Sequence, residues 1–529
     1  MNVIEITRNR IKPFFAESIF DNPVLIKELR TRLRGIKGFL IMGGYALLMA
    51  VVMSIAYYYM WDTVGQTDSK MGLHLFVTLT WAQVLLLTII TPSISAGAIT
   101  HEVEKKTMEL LALTRLSAGK IVAGKQLAGY LFALMLIICS LPLSGICLML
   151  GGISPAEIAI TYLLIMAWTF FLISASVFWS SLHVRTANAS GNSVGLAFIY
   201  FLFTSSCGGA VMGAVYSGSS HAGYDVPFYS LLNPAWAPYG AMLHSNICGI
   251  HVPLALIALV LHVGIGIMLL LTASTHVKYL RVERALSIRL LLIGIAVFIT
   301  WLAAGSSNWA VSGSNSLLGV FATSILISMI IAASIFATGK IRKNPDDPYI
   351  NALNPQKAFM TDIGGATIFL LILTLAQLVV FGLTAYWSSA VNHTKLGDLF
   401  AMKYVMICIT LISMVFFFSA VGVLGSALFK LRKNAIGLVI LIALILFAGY
   451  GIVLINHYAG SASPLQNLAV FWPMTPILVA TDEWENSMPQ LSWLEMAPYL
   501  TSLIYALMGV AVLHLAGVAA NKYGGVQEE

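Results

Sequence analysis

The chain is 529 residues long, 59% of them hydrophobic and only 10% charged, with a mean hydropathy of +0.87 and a formal net charge of +7. Such a composition excludes an ordinary soluble globular domain: roughly 20 apolar residues cross the ~30 Å hydrocarbon layer as a helix, and about a dozen such runs are present. The positive charge points to topology and anionic lipid head groups rather than to nucleic acid.

Residues 1–38 form a basic N-terminal segment with no early apolar core and cleavage site, so the first span is expected to direct insertion itself. Within it, Val24, Leu25, Leu29 and Leu33 recur at helical spacing beside Lys27, Glu28, Arg30, Arg32 and Arg34. Asn22 is placed to cap this helix and Pro23 to open it. The pattern suits an interfacial helix with cations toward lipid phosphates, although a plain positively charged flank would look similar.

The first six apolar runs are Phe39–Met60, Leu73–Ile99, Leu127–Leu150, Glu157–Ser180, Asn192–Tyr216 and Val252–Ala273. Each is expected to be helical, because a lipid-exposed strand edge leaves its backbone unsatisfied. Between the second and third lies a charged stretch read as one helix of about 14 residues, near 101–113. On a helical wheel Val103, Thr107, Leu110 and Leu111 share a face, and Glu102 with Lys106, or Lys105 with Glu109, stand at i,i+4. One apolar face beside a compact polar one suits a groove on a soluble partner, and a solvated loop helix fits the same pattern.

Polar residues within these runs, among them Thr78, Thr80, Gln83, Thr88, Ser174, Ser176, Thr204 and Ser205, are all neutral. As a path lining they would favour a lipidic or amphipathic cargo over a small ion, but hydroxyls also pack helices together. Before the sixth run comes a proline-rich outer segment, Asn233-Pro234-Ala235-Trp236-Ala237-Pro238.

The second set comprises Ile288–Ala304, Leu317–Thr338, Gly364–Trp387, Leu399–Phe429, Ala435–Ile455 and Ala497–Ala520, after a basic stretch at 276–289. Its outer prolines recur in Trp472-Pro473-Met474-Thr475-Pro476. The series Ser174-Ala175, Ser181, Asn188-Ala189 and Gly191 returns as Ser419-Ala420, Ser426, Asn434-Ala435 and Gly437. This spacing predicts a tandem duplication: an all-α polytopic membrane protein of about 12 helices, as two six-span units over 39–272 and 273–529. The second unit's inner loop, from Lys340, has three prolines and lacks the Glu-rich run of the first.

With the N-terminus inside, only Lys70, Lys395 and Lys403 of the 29 Lys and Arg fall on the outer side, so both ends are expected to be cytoplasmic. No Asp or Glu lies well inside a run, which argues against an ion-coupled carrier; His262 and His514 remain, and a lone histidine in a span is more often a packing residue. The five cysteines include no CxxC pair; Cys207 and Cys248 fall near one outer face, with inert buried thiols as the alternative to a bridge. No GxxxxGK[ST], HExxH or GxSxG pattern is present, so no catalytic or metal residue is assigned and energy is expected from another protein.

The stretch Pro92–Leu127 resembles the permease subunits of type 2 ABC exporters, through Glu102, Glu104, Lys106, Thr107, Glu109, Leu110, Leu111, Gly124 and Lys125. The resemblance implies that Glu102–Leu111, including Lys105, is a coupling helix. It makes Asn22, Pro23, Lys27, Glu28, Arg30 and Arg34 part of an elbow helix, with a second elbow near 276–289. Asn233, Pro234, Trp236 and Pro238, with Trp472, Pro473 and Pro476, become outer hairpins. It further implies two soluble ABC ATPase subunits on the cytoplasmic side, with ATP and Mg bound there and no cofactor in this chain, in the inner membrane. Thr78, Gln83, Ser174 and Thr204 become the candidate pathway. Two other readings stay open: a mechanical member of the family acting on an envelope complex without moving solute, and an ion-coupled carrier.

Overall fold

A computed structural model describes residues 22–34, 36–64, 70–113, 116–216, 226, 228–277, 285–305, 365–391, 398–429, 434–442 and 497–523. The chain divides into two compact units, Met1–Ile295 and Ala296–Glu529. Among the described residues nine helices are long and apolar enough to cross a membrane, so the protein is a helical, multi-pass membrane protein.

Unit 1 opens with α1 (Pro23–Leu33), then α2 (Ile36–Val64) and α3 (Met71–Ser95). Two short helices follow, α4 (Gly97–Glu104) and α5 (Met108–Ala112), before α6 (Ala118–Met149), α7 (Pro155–Leu182) and α8 (Thr186–Tyr216). The caps follow from the residues present. Asn22 Oδ1 accepts from the Val24 amide at 3.0 Å with Pro23 opening α1, and Ser154 with Glu157 makes a reciprocal capping box at the start of α7.

The core of unit 1 is built on α3 and α7. Leu75, Phe76, Leu79, Val84 and Leu87 of α3 pack with Leu136 of α6 and with Ile165, Trp168 and Leu172 of α7. α7 is the most enclosed span of the unit and α2 the least. α2 turns Phe39, Leu40, Leu47, Ile55 and Tyr58 outward, as a helix facing hydrocarbon does. Its far end carries exposed Tyr57, Tyr58, Tyr59 and Trp61, the amphipathic rings that favour a membrane–water boundary.

After α8 the chain forms two short 3-10 turns, Phe228–Leu231 and Pro234–Trp236, and α9 (Ala237–Gly240). A small antiparallel hairpin, β1 (His244–Ile247) with β2 (Ile250–Pro253), leads into α10 (Leu254–His276). Cys248 and Gly249 at its tip have φ of 54° and 83°, the paired left-handed conformations of a tight two-residue hairpin. This hairpin is the one departure from an all-helical chain among the described residues.

Helix α11 (Ala285–Gly305) runs through the division between the units. Unit 2 contains α12 (Ala366–Val391), α13 (Asp398–Leu428), a helical stretch at 434–442, and α14 (Ala497–Tyr523). Among the described residues α13 and α14 are its most extensively packed pair. Phe417 and Tyr505 meet edge to face at 5.2 Å, and the hydroxyls of Thr410 and Ser502 lie 3.0 Å apart. The run Leu317–Thr338, most of Ala435–Ile455, the inner loop from Lys340, half of 276–289 (278–284), and Trp472, Pro473 and Pro476 lie outside the described residues.

Candidate functional site: the charged junction of unit 1

At one end of unit 1, α1, α4, α5 and the first turns of α6 and α8 converge. The centre is Lys125, whose side chain is only 4% exposed. Its Nζ lies 2.9 Å from Glu28 Oε1 on α1 and 3.2 Å from Glu102 Oε1 on α4. Lys27 Nζ approaches the same Glu102 oxygen at 3.6 Å, and Thr107 Oγ1 donates to Glu102 Oε2. A buried ammonium costs several kcal/mol unless paired and hydrogen-bonded, and two carboxylates from separate elements supply that here.

Backbone fit brings α1 onto α6. Asn22 Nδ2 donates to the Lys120 carbonyl at 2.7 Å. A Cβ on Gly124 would stand 2.8 Å from Asn22 Nδ2 and 3.0 Å from Val24 Cβ. Glycine at 124 therefore lets α1 settle close enough for Glu28 to reach the next residue, Lys125.

The charged stretch is two helices rather than the single one expected at 101–113. α3 yields to α4 around Ala96, just after Pro92, and the amides of Ile99 and Thr100 donate to Ser180 Oγ on α7 at 2.9 and 3.0 Å. α4 then stops at Glu104. Lys106 adopts φ 56°, its amide returns to the Val103 carbonyl, and the Thr107 amide returns to that of Glu102 at 2.9 Å. This is a Schellman C-cap with lysine where glycine is favoured. The i,i+4 pairing of Glu102 with Lys106 is thereby lost, and Glu102 turns to Lys125, Lys27 and Thr107.

The break also rephases the apolar face. Val103 and Leu111 pack against Ile99, Val122, Ile173, Val177 and Leu270, as the wheel required, with Met108 wholly inside the same cluster. Leu110 instead points outward at 67% exposure, with Leu113 at 84%. Lys105, Lys106 and Glu109 are exposed beside them. Met108 escapes a wheel drawn over one continuous helix, because restarting at 108 moves it onto the inner face.

Glu104 reaches across to α8. Both its oxygens accept from Thr186, one from the amide at 2.7 Å and one from the hydroxyl at 2.9 Å, while His101 Nδ1 stands 3.6 Å away. A carboxylate at a helix start is favoured by the unpaired amides and the helix dipole. On α1, Arg30 and Arg34 are exposed.

The segment Asn233–Pro238, expected on the outer side, is tightly seated. Asn233 is fully buried, its Nδ2 donating to Ser205 Oγ at 2.7 Å and its Oδ1 accepting from the Ala235 amide at 2.9 Å. Trp236 meets Trp81 edge to face at 5.0 Å and donates to the Ser205 carbonyl, with Pro234 and Pro238 buried alongside.

The candidate pathway residues lie within unit 1. Thr78, Thr80, Thr88, Ser174, Ser176, Thr204 and Ser205 each donate to a carbonyl of their own helix, and Gln83 is buried. Ser174 also accepts from Gln126 Nε2 at 3.0 Å, and Thr88 from Trp168 Nε1 at 3.2 Å. These are contacts that join helices. His262 is buried against Trp168, Phe171 and Tyr200, with Nδ1 2.6 Å from the Ala258 carbonyl and Nε2 3.3 Å from Tyr200 Oη. His514 sits on an exposed part of α14.

Residues 23–237 match the family model described as ABC-2 family transporter protein. The match starts at the first residue of α1 and ends in the outer segment, so it contains the whole charged junction. None of the curated proteins matches the chain, and none of the solved structures does.

Proposed function

We propose, from the match of residues 23–237 to the ABC-2 family transporter model, that the chain is the membrane-spanning permease subunit of an ATP-driven exporter. A separate soluble ABC ATPase, with ATP and Mg bound in it, docks on the cytoplasmic side at α4–α5 and drives the transport step. The observation that carries this reading is the two-sided character of α5 and its C-cap: Met108 is buried and Leu111 half-buried against the unit, while Leu110 and the cap residue Leu113 project beside Lys105, Lys106 and Glu109. Exposed leucines amid charge fit an apolar groove on a soluble protein.

Unit 2 is a second, diverged copy of the domain, so one chain supplies both halves and two ATPase subunits bind. The burial pattern supports this. Ser174 and Ser419, Ala175 and Ala420, and Ala189 and Ala435 are buried, whereas Asn188 and Asn434, and Gly191 and Gly437, are exposed. Among the described residues the most extensively packed helix pair is α7 with α10 in unit 1 and α13 with α14 in unit 2, which are the fourth and sixth spans of each copy. The neutral polar residues Thr78, Gln83, Ser174 and Thr204 within the spans favour a lipidic or amphipathic cargo if they line the path, and the protein works in the cytoplasmic membrane.

The test is to purify the tagged full-length chain in mild detergent and identify what remains bound. An ABC ATPase at two copies per chain supports the fused permease, and one copy leaves the second unit without a docking site. An intact, monodisperse chain without any ATPase overturns the reading. A mechanical member of the family would retain the ATPase but show no cargo-dependent change in hydrolysis rate.

A further inference from the structure

The junction contains a device beyond a docking surface. Glu28 lies on α1, Glu102 on α4, and the shared cation, Lys125, on α6. Lys125 is 4% exposed, Glu102 15% and Glu28 21%, so the cluster is largely shielded from water. Lys27 also touches Glu102 but is 67% exposed at a longer 3.6 Å, which makes it a weak substitute. The two carboxylate oxygens share one ammonium, which places them within about 6 Å of one another, a spacing at which like charges kept from water repel.

We infer that Lys125 is a positioning residue: its buried ammonium holds the elbow helix α1 and the docking segment α4–α5 together against the repulsion of Glu28 and Glu102, and so fixes where the docking leucines are presented. Apart from the exposed Lys27 on Glu102, and Arg32 along α1 beside Glu28, contacts at this seam include two short-range uncharged ones, Asn22 to the Lys120 carbonyl and the seating of Val24 on Gly124. Removing the cation leaves two partly buried carboxylates facing each other, with only the exposed Lys27 near Glu102 and Arg32 along α1 near Glu28 as remaining cations, and their repulsion is relieved by lifting α1 away from α6. Removing all three charges abolishes that force, since replacing a buried ionic cluster by neutral groups of similar size is often tolerated. The role in docking rests on the ATPase binding at α5; the clamp itself does not.

Two readouts on the full-length chain separate these claims. Val24 is buried against α6, so Val24→Cys, introduced as the sole cysteine, reports the seam through maleimide labelling from the inner side. With Lys125 present the introduced thiol stays protected. Lys125→Met is expected to raise the labelling rate and to cut recovered ATPase roughly tenfold or more. Adding Glu28→Gln and Glu102→Gln to Lys125→Met is expected to restore protection and ATPase recovery together. Protection that persists in Lys125→Met overturns the clamp, and a triple variant that stays open shows packing rather than charge to be responsible, which overturns it too. Leu25→Cys, likewise at a buried position, repeats the reading if Val24→Cys alone disturbs the seam. An opened seam with full ATPase recovery leaves the clamp standing and removes the docking assignment of α5.

Discussion

Glu104 receives both the amide and the hydroxyl of Thr186, although 82 residues separate them in sequence. The contact fastens the end of α4 to the start of α8, so α4 is tied to two helices at once: α6 through Lys125 and α8 through Thr186. Glu104→Gln keeps the shape and weakens the acceptor. The expected result is faster amide hydrogen exchange at Thr186–Ala189 with unchanged protection in the core of α7. Equal exchange in both proteins would show that Glu104 does not hold the first turn of α8.

Lys106 occupies the left-handed position of the α4 cap at φ 56°. An L-residue there costs roughly 1 kcal/mol that glycine avoids. Lys106→Gly should therefore raise the thermal midpoint of the detergent-purified chain slightly, and Lys106→Val should lower it, because a β-branched side chain resists that conformation. The opposite order would mean that the cap is not formed in solution.

The seat of the segment at 233–238 depends on Gly208. A Cβ there would fall 2.5 Å from Trp236 Cδ1 and 2.8 Å from the Ser230 carbonyl. Gly208→Ala is expected to cost about 1–3 kcal/mol by forcing Trp236 away from Trp81. A protease that cuts near Phe228–Trp236 should then do so faster. Resistance equal to the parent would show that the segment can shift without loss.

Hydropathy and charge made the spans legible because lipid leaves the backbone few choices, and every described helix of unit 1 longer than 20 residues overlaps a run seen in the sequence. The helix Pro23–Leu33 was legible for the same local reasons, since Asn22 and Pro23 act through their nearest neighbours. The interruption at Lys105–Thr107 was not, because lysine carries no preference for a left-handed cap and only tertiary demands on Glu102 place one there. That single break explains why Leu110 faces out and Met108 in. The neutral hydroxyls suggested a path, but their partners are carbonyls one turn back, which no spacing pattern distinguishes from a cavity lining. Gly124 and Lys125 belonged to the resemblance without a visible reason, and the reason is the close approach of α1.

The docking reading separates two neighbours on α5 by direction alone. Leu110 and Leu113 are exposed, and substitutions at such sites usually change stability by less than about 0.5 kcal/mol. Leu110→Asp with Leu113→Asp should leave expression and the thermal midpoint near those of the parent, while ATPase recovery falls. Met108 is 3% exposed in the apolar cluster under the segment. Met108→Asp buries an unpaired carboxylate and should cost several kcal/mol, lowering the midpoint as well as ATPase recovery. The diagnostic is the contrast: binding lost without stability at 110 and 113, both lost at 108. If the outward leucines could be charged with no loss of ATPase, the partner would have to be gripped elsewhere, because no other exposed leucines belong to the described part of the docking segment.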